Sequence, residues 1–112
     1  MARRLEEVGS IALVEQAFVP DGRYCDPLSD VSGAAEVAAM IEGVRGQFPG
    51  YLLRRTSPVD QHHDQVRFEC ELVGPDGTAV VAGVDYVALA PDGRFLSVGG
   101  FFGASVPAEA AA

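Results

Sequence analysis

At residue 51 the apolar pattern of this 112-residue chain changes period, and that change constrains its fold more than any other feature. Before it, Leu5, Val8, Ile11, Ala12, Val14 and Phe18 recur at close to helical spacing, which predicts a helix over residues 3–18 weakened by Gly9 and Ser10. Pro20-Asp21-Gly22 predicts a turn, followed by a short extended segment at Arg23-Tyr24-Cys25. Val37, Ala38, Ile41, Val44 and Phe48 mark a second helix over 34–48, with Ser32 as its N-cap, Glu36 nearby, and Pro49-Gly50 ending it. After it, the segment 51–56 opens a run of strands. Val66, Phe68, Cys70 and Leu72 alternate with Arg67, Glu69 and Glu71, the signature of a half-buried strand. Gly74-Pro75-Asp76-Gly77 and Ala90-Pro91-Asp92-Gly93 read as turns bounding a strand over 78–90, and 94–102 forms the last strand. Helices first and an antiparallel meander after predict an α+β layer arrangement, a curved sheet wrapped around helices, in one domain over 1–103 with a frayed tail at 104–112.

Composition narrows the class of partner. All eight cations are arginines against sixteen acidic residues, a net charge of −8. Such a surface repels phosphate backbones and anionic lipid, so neither nucleic acid nor a membrane is expected as a partner. Apolar runs are broken well before the ~18 residues of a membrane span, and Met1-Ala2-Arg3-Arg4 leads straight into Leu5-Glu6-Glu7 rather than a signal-peptide apolar region. Cys25 and Cys70 have no metal or redox spacing, and a cytoplasmic protein with two reduced thiols is the expectation.

Two aspartates lie in apolar strand sequence, 59 positions apart: Asp26 before Pro27, and Asp85 within Val84-Asp85-Tyr86-Val87. Desolvation drives a carboxylate out of such a run unless it is paired, protonated or used. Asp26 could instead cap a turn before Pro27, a reading placed behind function because of Asp85. By strand parity Asp85 shares a face with Gly83, Val87 and Leu89, opposite Val84, Tyr86 and Ala88; both faces are apolar, so an internal Asp85 is expected. Phe18, Phe48, Val66, Phe68, Cys70, Val87, Val98 and Phe102 are the apolar positions that would line a pocket around the carboxyls, and core wherever no hollow exists. His62-His63-Asp64 reads as a solvated turn, with adjacent histidines pointing apart and no metal site. Gly99-Gly100 precedes no helix and signals a close backbone approach or a bulge. No cofactor motif is present.

The order of an N-terminal helix, Asp26-Pro27, a helix ending at Phe48-Pro49, Val84-Asp85-Tyr86-Val87, Asp92-Gly93-Arg94 and Gly99-Gly100-Phe101-Phe102-Gly103 resembles the NTF2-like superfamily. Within it, the order is similar to the SnoaL-like and ketosteroid-isomerase-like proteins. The resemblance implies a cone-shaped fold and acid–base chemistry on a hydrophobic ketone or polyketide-like molecule, with Asp26 as general base and Asp85 as a neutral donor to the developing oxyanion, as in the handful of carboxylic acids kept protonated by apolar sites. It also implies a homodimer through the outer sheet face, for which Tyr86 and Phe101 are candidates. The isomerase's main oxyanion donor is a helix tyrosine, and residues 1–18 contain none. Limonene-type epoxide hydrolases place an arginine where this chain has Gly83. The alternative of another class is a non-catalytic ligand-binding or dimerisation module built on the same cone.

Overall fold

The computed structural model describes residues 2–4 and 11–103. In chain order these form β1 (Ala2–Arg4), α1 (Ile11–Ala17), β2 (Phe18–Asp26), β3 (Ser29–Ser32), α2 (Ala34–Gln47), β4 (Leu52–Arg55), β5 (Asp60–His62), β6 (Gln65–Val73), β7 (Ala79–Leu89) and β8 (Phe95–Phe102). One curved sheet runs in the order β1-β4-β6-β7-β8-β2-β3, with β5 also paired to β6. Its pairings are antiparallel except β2–β8, which is parallel. The two helices pack together, and α2 lies against β2 and β3. The expected α+β cone is the fold.

Several local expectations are corrected. Of the helix expected over 3–18, Ile11–Ala17 is helical among the described residues. It gives way directly to β2, where Val19-Pro20 cannot continue a helix: proline lacks the N–H and restricts the residue before it. Ala2–Arg4 is a strand on β4, with Ala2 opposite Arg54; Leu5, Val8, Gly9 and Ser10 fall outside the described residues, as does the tail 104–112.

Pro20-Asp21-Gly22 is not a turn but part of β2, where the register against β8 shifts between Phe18 and Arg23. Gly22 is required there, since a Cβ would lie 2.9 Å from the Phe18 ring and 3.1 Å from the carbonyl oxygens of Val19 and Phe95. A short β3 follows, unforeseen from the sequence. The N-cap of α2 is Gly33 at φ 87°, not Ser32, whose backbone N–H instead donates to Glu36 at 3.3 Å.

Asp60–His62 is a strand (β5), and the expected turn is confined to His63-Asp64, with His63 at φ 52°. That turn brings the two imidazoles together, Nδ1 to Nδ1 at 3.2 Å, rather than apart. All of β5 is exposed.

Val14, Phe18, Val37, Ala38, Val87 and Val98 form the buried core, with Val37 at 0 % exposure. Tyr24, Val66, Phe68 and Phe95 pack against it, and the Phe18 and Phe95 rings meet edge to face at 5.3 Å. Strand parity puts Val66, Phe68 and Cys70 on the same face as Val87, Asp85 and Gly83, their register partners on β7. This is the helix-covered, concave face. Arg67, Glu69, Val84, Tyr86 and Phe101 face the other way.

Candidate active site

The site is assembled by strand register. On β2, Tyr24 and Asp26 are two residues apart and so share a face. Parallel pairing sets Tyr24 beside Val98 and Cys25 beside Gly99, which carries Asp26 to the level of Gly100 on β8. Gly100 is itself the register partner of Asp85 on β7, and Asp85 is opposite Phe68 on β6. Two carboxyls far apart in the chain thus flank one glycine on the concave face.

The missing side chain of Gly100 is what lets them meet. A Cβ there would lie 3.0 Å from Asp85 Oδ1, 3.4 Å from Asp26 Cβ and 3.7 Å from the Tyr24 hydroxyl. The close approach expected of Gly99-Gly100 is therefore realised at Gly100, next to the carboxyls. Gly83 has a separate reason to be glycine: a Cβ would sit 2.4 Å from the Phe101 carbonyl oxygen.

Each carboxyl has its own partners. Asp26 accepts from the Tyr24 hydroxyl at Oδ2 (2.6 Å) and from the Leu28 backbone N–H at Oδ1 (2.8 Å). The second bond closes the turn over Pro27, so Asp26 both starts a turn and belongs to the site. Asp85 is half-buried and accepts from the Cys70 thiol at Oδ2, 3.7 Å.

Burial raises the Asp85 titration above the ordinary carboxyl value; the Cys70 hydrogen bond works against this, and the charge of Asp26 reinforces it. Burial likewise pushes the Cys70 thiol up to about 12, helped by the charge of Asp85 and its hydrogen bond, so Cys70 is a protonated thiol rather than a nucleophile. Tyr24 is raised well above the ordinary phenol range, by burial first, then by its bond to Asp26 and the charges of Asp26 and Asp85. It stays an O–H donor.

The expected lining residues divide. Phe18, Val87 and Val98 are buried in the core, and the half-buried Val66 and Phe68 pack onto it, so these five form a close-packed floor. Cys70 touches Asp85. Phe48 is not brought to the carboxyls by any contact with them; its ring packs edge to face on Tyr51 at 5.2 Å. Phe102 lies opposite Gly83, 47 % exposed. Two recesses lie elsewhere and include neither aspartate: one of about 660 Å³ between β3 and α2, lined by Leu28, Val31, Met40 and Val44, and one of about 370 Å³ against Ser57, Pro58, Arg67 and Glu69. Among the described residues no three His, Cys, Asp or Glu side chains converge as a metal site, and no helix is long and apolar enough to cross a membrane.

Tyr24 was not foreseen as part of this cluster. Its signal was available, since it stands two positions before Asp26 in an extended segment. What could not be read was that this face of β2 turns toward Asp85.

A curved, unclosed sheet with helices against its concave face and carboxyls on that face defines an α+β cone of the NTF2-like kind. A SnoaL-like family protein from Agrobacterium tumefaciens str. C58, a candidate isomerase, is 40 % identical, with a TM-score of 0.80 over 84 % of this chain and 80 % of that one. The chain belongs to the SnoaL-like family. Two further structures share the fold at lower identity. A candidate SnoaL-like polyketide cyclase from Jannaschia sp. CCS1 is 21 % identical, TM-score 0.70, over 88 % of this chain and 80 % of that one. A protein of ketosteroid-isomerase-like fold from Catenulispora acidiphila DSM 44928, in complex with trimethylamine, is 18 % identical, TM-score 0.71, over 85 % and 75 %. No family model and no curated protein matches the chain.

Proposed function

We propose that this protein is a small-molecule enzyme that moves a proton on a hydrophobic ketone or polyketide-like carbon acid. The observation that carries the reading is the convergence of Asp26 and Asp85 on Gly100. Asp26, whose oxygens both act as acceptors, is the base that takes the carbon-bound proton. Asp85, whose proton burial helps to retain, donates to the oxygen on which charge develops. Tyr24 gives its single proton to Asp26 Oδ2 and so holds the base in place beside the same point. The candidate-isomerase description of the Agrobacterium relative agrees with this chemistry.

The test is exchange of the α-protons of 2-tetralone and a set of 1,3-diketones for solvent deuterium in heavy water, followed by NMR. Wild-type protein accelerates exchange over buffer. Asp26→Asn abolishes it, and Asp85→Leu lowers it by ~100-fold, the range for general acid–base groups and oxyanion donors. Exchange unaffected by Asp26→Asn would remove the base.

A second reading, a ligand-binding module without catalysis, draws on the close-packed floor of Phe18, Val87 and Val98 beneath the carboxyls. Retained ligand binding with no exchange by the wild type supports it. In either case we propose a homodimer through the outer sheet face. There the Tyr86 and Phe101 rings pack edge to face at 5.8 Å and remain 44 % and 60 % exposed, an apolar area that a second copy would cover.

A further inference from the structure

Cys70 is the one polar side chain in contact with Asp85 that the acid–base reading leaves without a task. Its thiol lies 3.7 Å from Asp85 Oδ2, across the β6–β7 pairing where Cys70 is opposite Gly83. The other oxygen, Oδ1, is the one 3.0 Å from where a Gly100 side chain would begin, on the side of Tyr24 and Asp26. We propose that Cys70 is a positioning residue: by donating its S–H to Oδ2 it makes that oxygen the carbonyl of a neutral Asp85 and leaves the acid proton on Oδ1, pointing into the site.

The argument is one of hydrogen-bond inventory. A protonated carboxyl has one hydroxyl oxygen, which donates, and one carbonyl oxygen, which is the better acceptor. A thiol proton facing Oδ2 discriminates between the two arrangements, because placing the acid proton on Oδ2 sets two protons against each other. The thiol is held in its S–H form by burial and by the adjacent carboxyl, so it is a donor throughout the neutral range. No bond to carbon is made by sulfur, and no oxidation is involved.

A further consequence concerns the ligand. With Oδ1 as donor and Asp26 as acceptor, the site presents one donor and one acceptor on either side of Gly100. It therefore selects molecules carrying a carbonyl or enolate oxygen next to an acidic C–H. This deepens the acid–base reading and rests on it for its effect on rate. The hydrogen bond itself does not.

The test separates the two. In a Cys25→Ser background the only S–H stretch in the infrared belongs to Cys70. A donated bond puts that band at lower frequency than in the same protein carrying Asp85→Leu, and ionising Asp85 moves it lower still, since a carboxylate is the stronger acceptor. A band that is the same in Asp85→Leu and stays fixed through the Asp85 titration overturns the proposal. Carbon-13 NMR supplies a second measure. Removing the donor by Cys70→Ala raises the Asp85 midpoint, because a bond favouring the charged form is lost. Cys70→Val, closer in volume, stands in if the alanine variant melts early. An unchanged or lowered midpoint in these variants overturns the proposal. In the 2-tetralone exchange assay, kcat falls at least tenfold in Cys70→Ala with KM within twofold, and Cys70→Ser recovers most of the loss. Equal kcat in Cys70→Ala and wild type overturns it. Should wild-type protein show no exchange at all, the acid–base reading fails, while the infrared and NMR results still decide whether Cys70 orients Asp85.

Discussion

Replacing Asp85 by asparagine should make the protein more stable at neutral pH and leave it nearly unchanged in acid. Folding places Asp85 where burial disfavours its charge, with Asp26 close enough to add to the effect. The folded protein therefore holds this proton more tightly than the unfolded chain does. Below the ordinary carboxyl value of 3.8 both states carry the proton, and the contribution to stability is whole. As pH rises through the higher folded titration it is lost, and above that the native state bears a charge that it disfavours.

Asparagine removes this dependence while keeping an acceptor for the Cys70 thiol. Each pH unit by which the folded titration lies above 3.8 is worth about 1.4 kcal/mol of stability at pH above both values. Urea unfolding of wild type and Asp85→Asn from about pH 4 to about pH 8 measures the difference, and carbon-13 NMR of the Asp85 carboxyl measures the titration independently. The two must agree through that factor. Any constant offset from packing of the amide cancels, because the reasoning concerns the change with pH. A stability difference that does not vary with pH, or an Asp85 titration at or below 3.8, would refute it.

Three other changes probe the framework of the site. Gly100→Ala sets a methyl group 3.0 Å from Asp85 Oδ1 and 3.4 Å from Asp26 Cβ, and is expected to cost about 1–3 kcal/mol and to suppress α-proton exchange; full activity at wild-type stability would mean that the carboxyls do not need this space. Val37→Ala, at a fully buried position between the helices and the sheet, should lower urea-unfolding stability by about 2 kcal/mol from lost methyl burial and the cavity left behind. Phe101→Asp, on the exposed outer face, should shift the mass seen by light scattering from dimer to monomer without lowering the yield of folded protein; an identical mass for both proteins would place any interface elsewhere.

The chain's local physics was legible where one short rule acts alone. The alternation Val66, Phe68, Cys70, Leu72 names a strand and its inner face, and the structure keeps that parity. Helix α2 was evident from its 3.6-residue spacing within a residue of its true end. Two Pro-Asp-Gly tripeptides, at 75–77 and 91–93, are turns as read; the third, at 20–22, is a bulge inside β2. The same three residues serve both ends because glycine supplies backbone freedom and proline leaves no N–H to pair, and pairing with β8 settles which way they are used.

At Arg3-Arg4 the helical reading gives way for a similar reason, while Ile11–Ala17 keeps it. Apolar residues at helical spacing described residues 3–18, but Ala2–Arg4 gains more by extending along the edge strand β4, whose N–H and C=O groups would otherwise be unpaired. Asp26 and Asp85 could each be singled out from the cost of a carboxyl in apolar surroundings, and Tyr24 could have been added by parity with Asp26. Their meeting could not be read locally. It depends on β2 returning to lie parallel to β8, a contact between residues more than 70 positions apart, and on Gly100 leaving room for both side chains. Sequence period determines which way each side chain faces along its own strand. Which strands lie side by side, and in what register, is set by burial summed over the whole sheet, and that sum exists only in the folded protein.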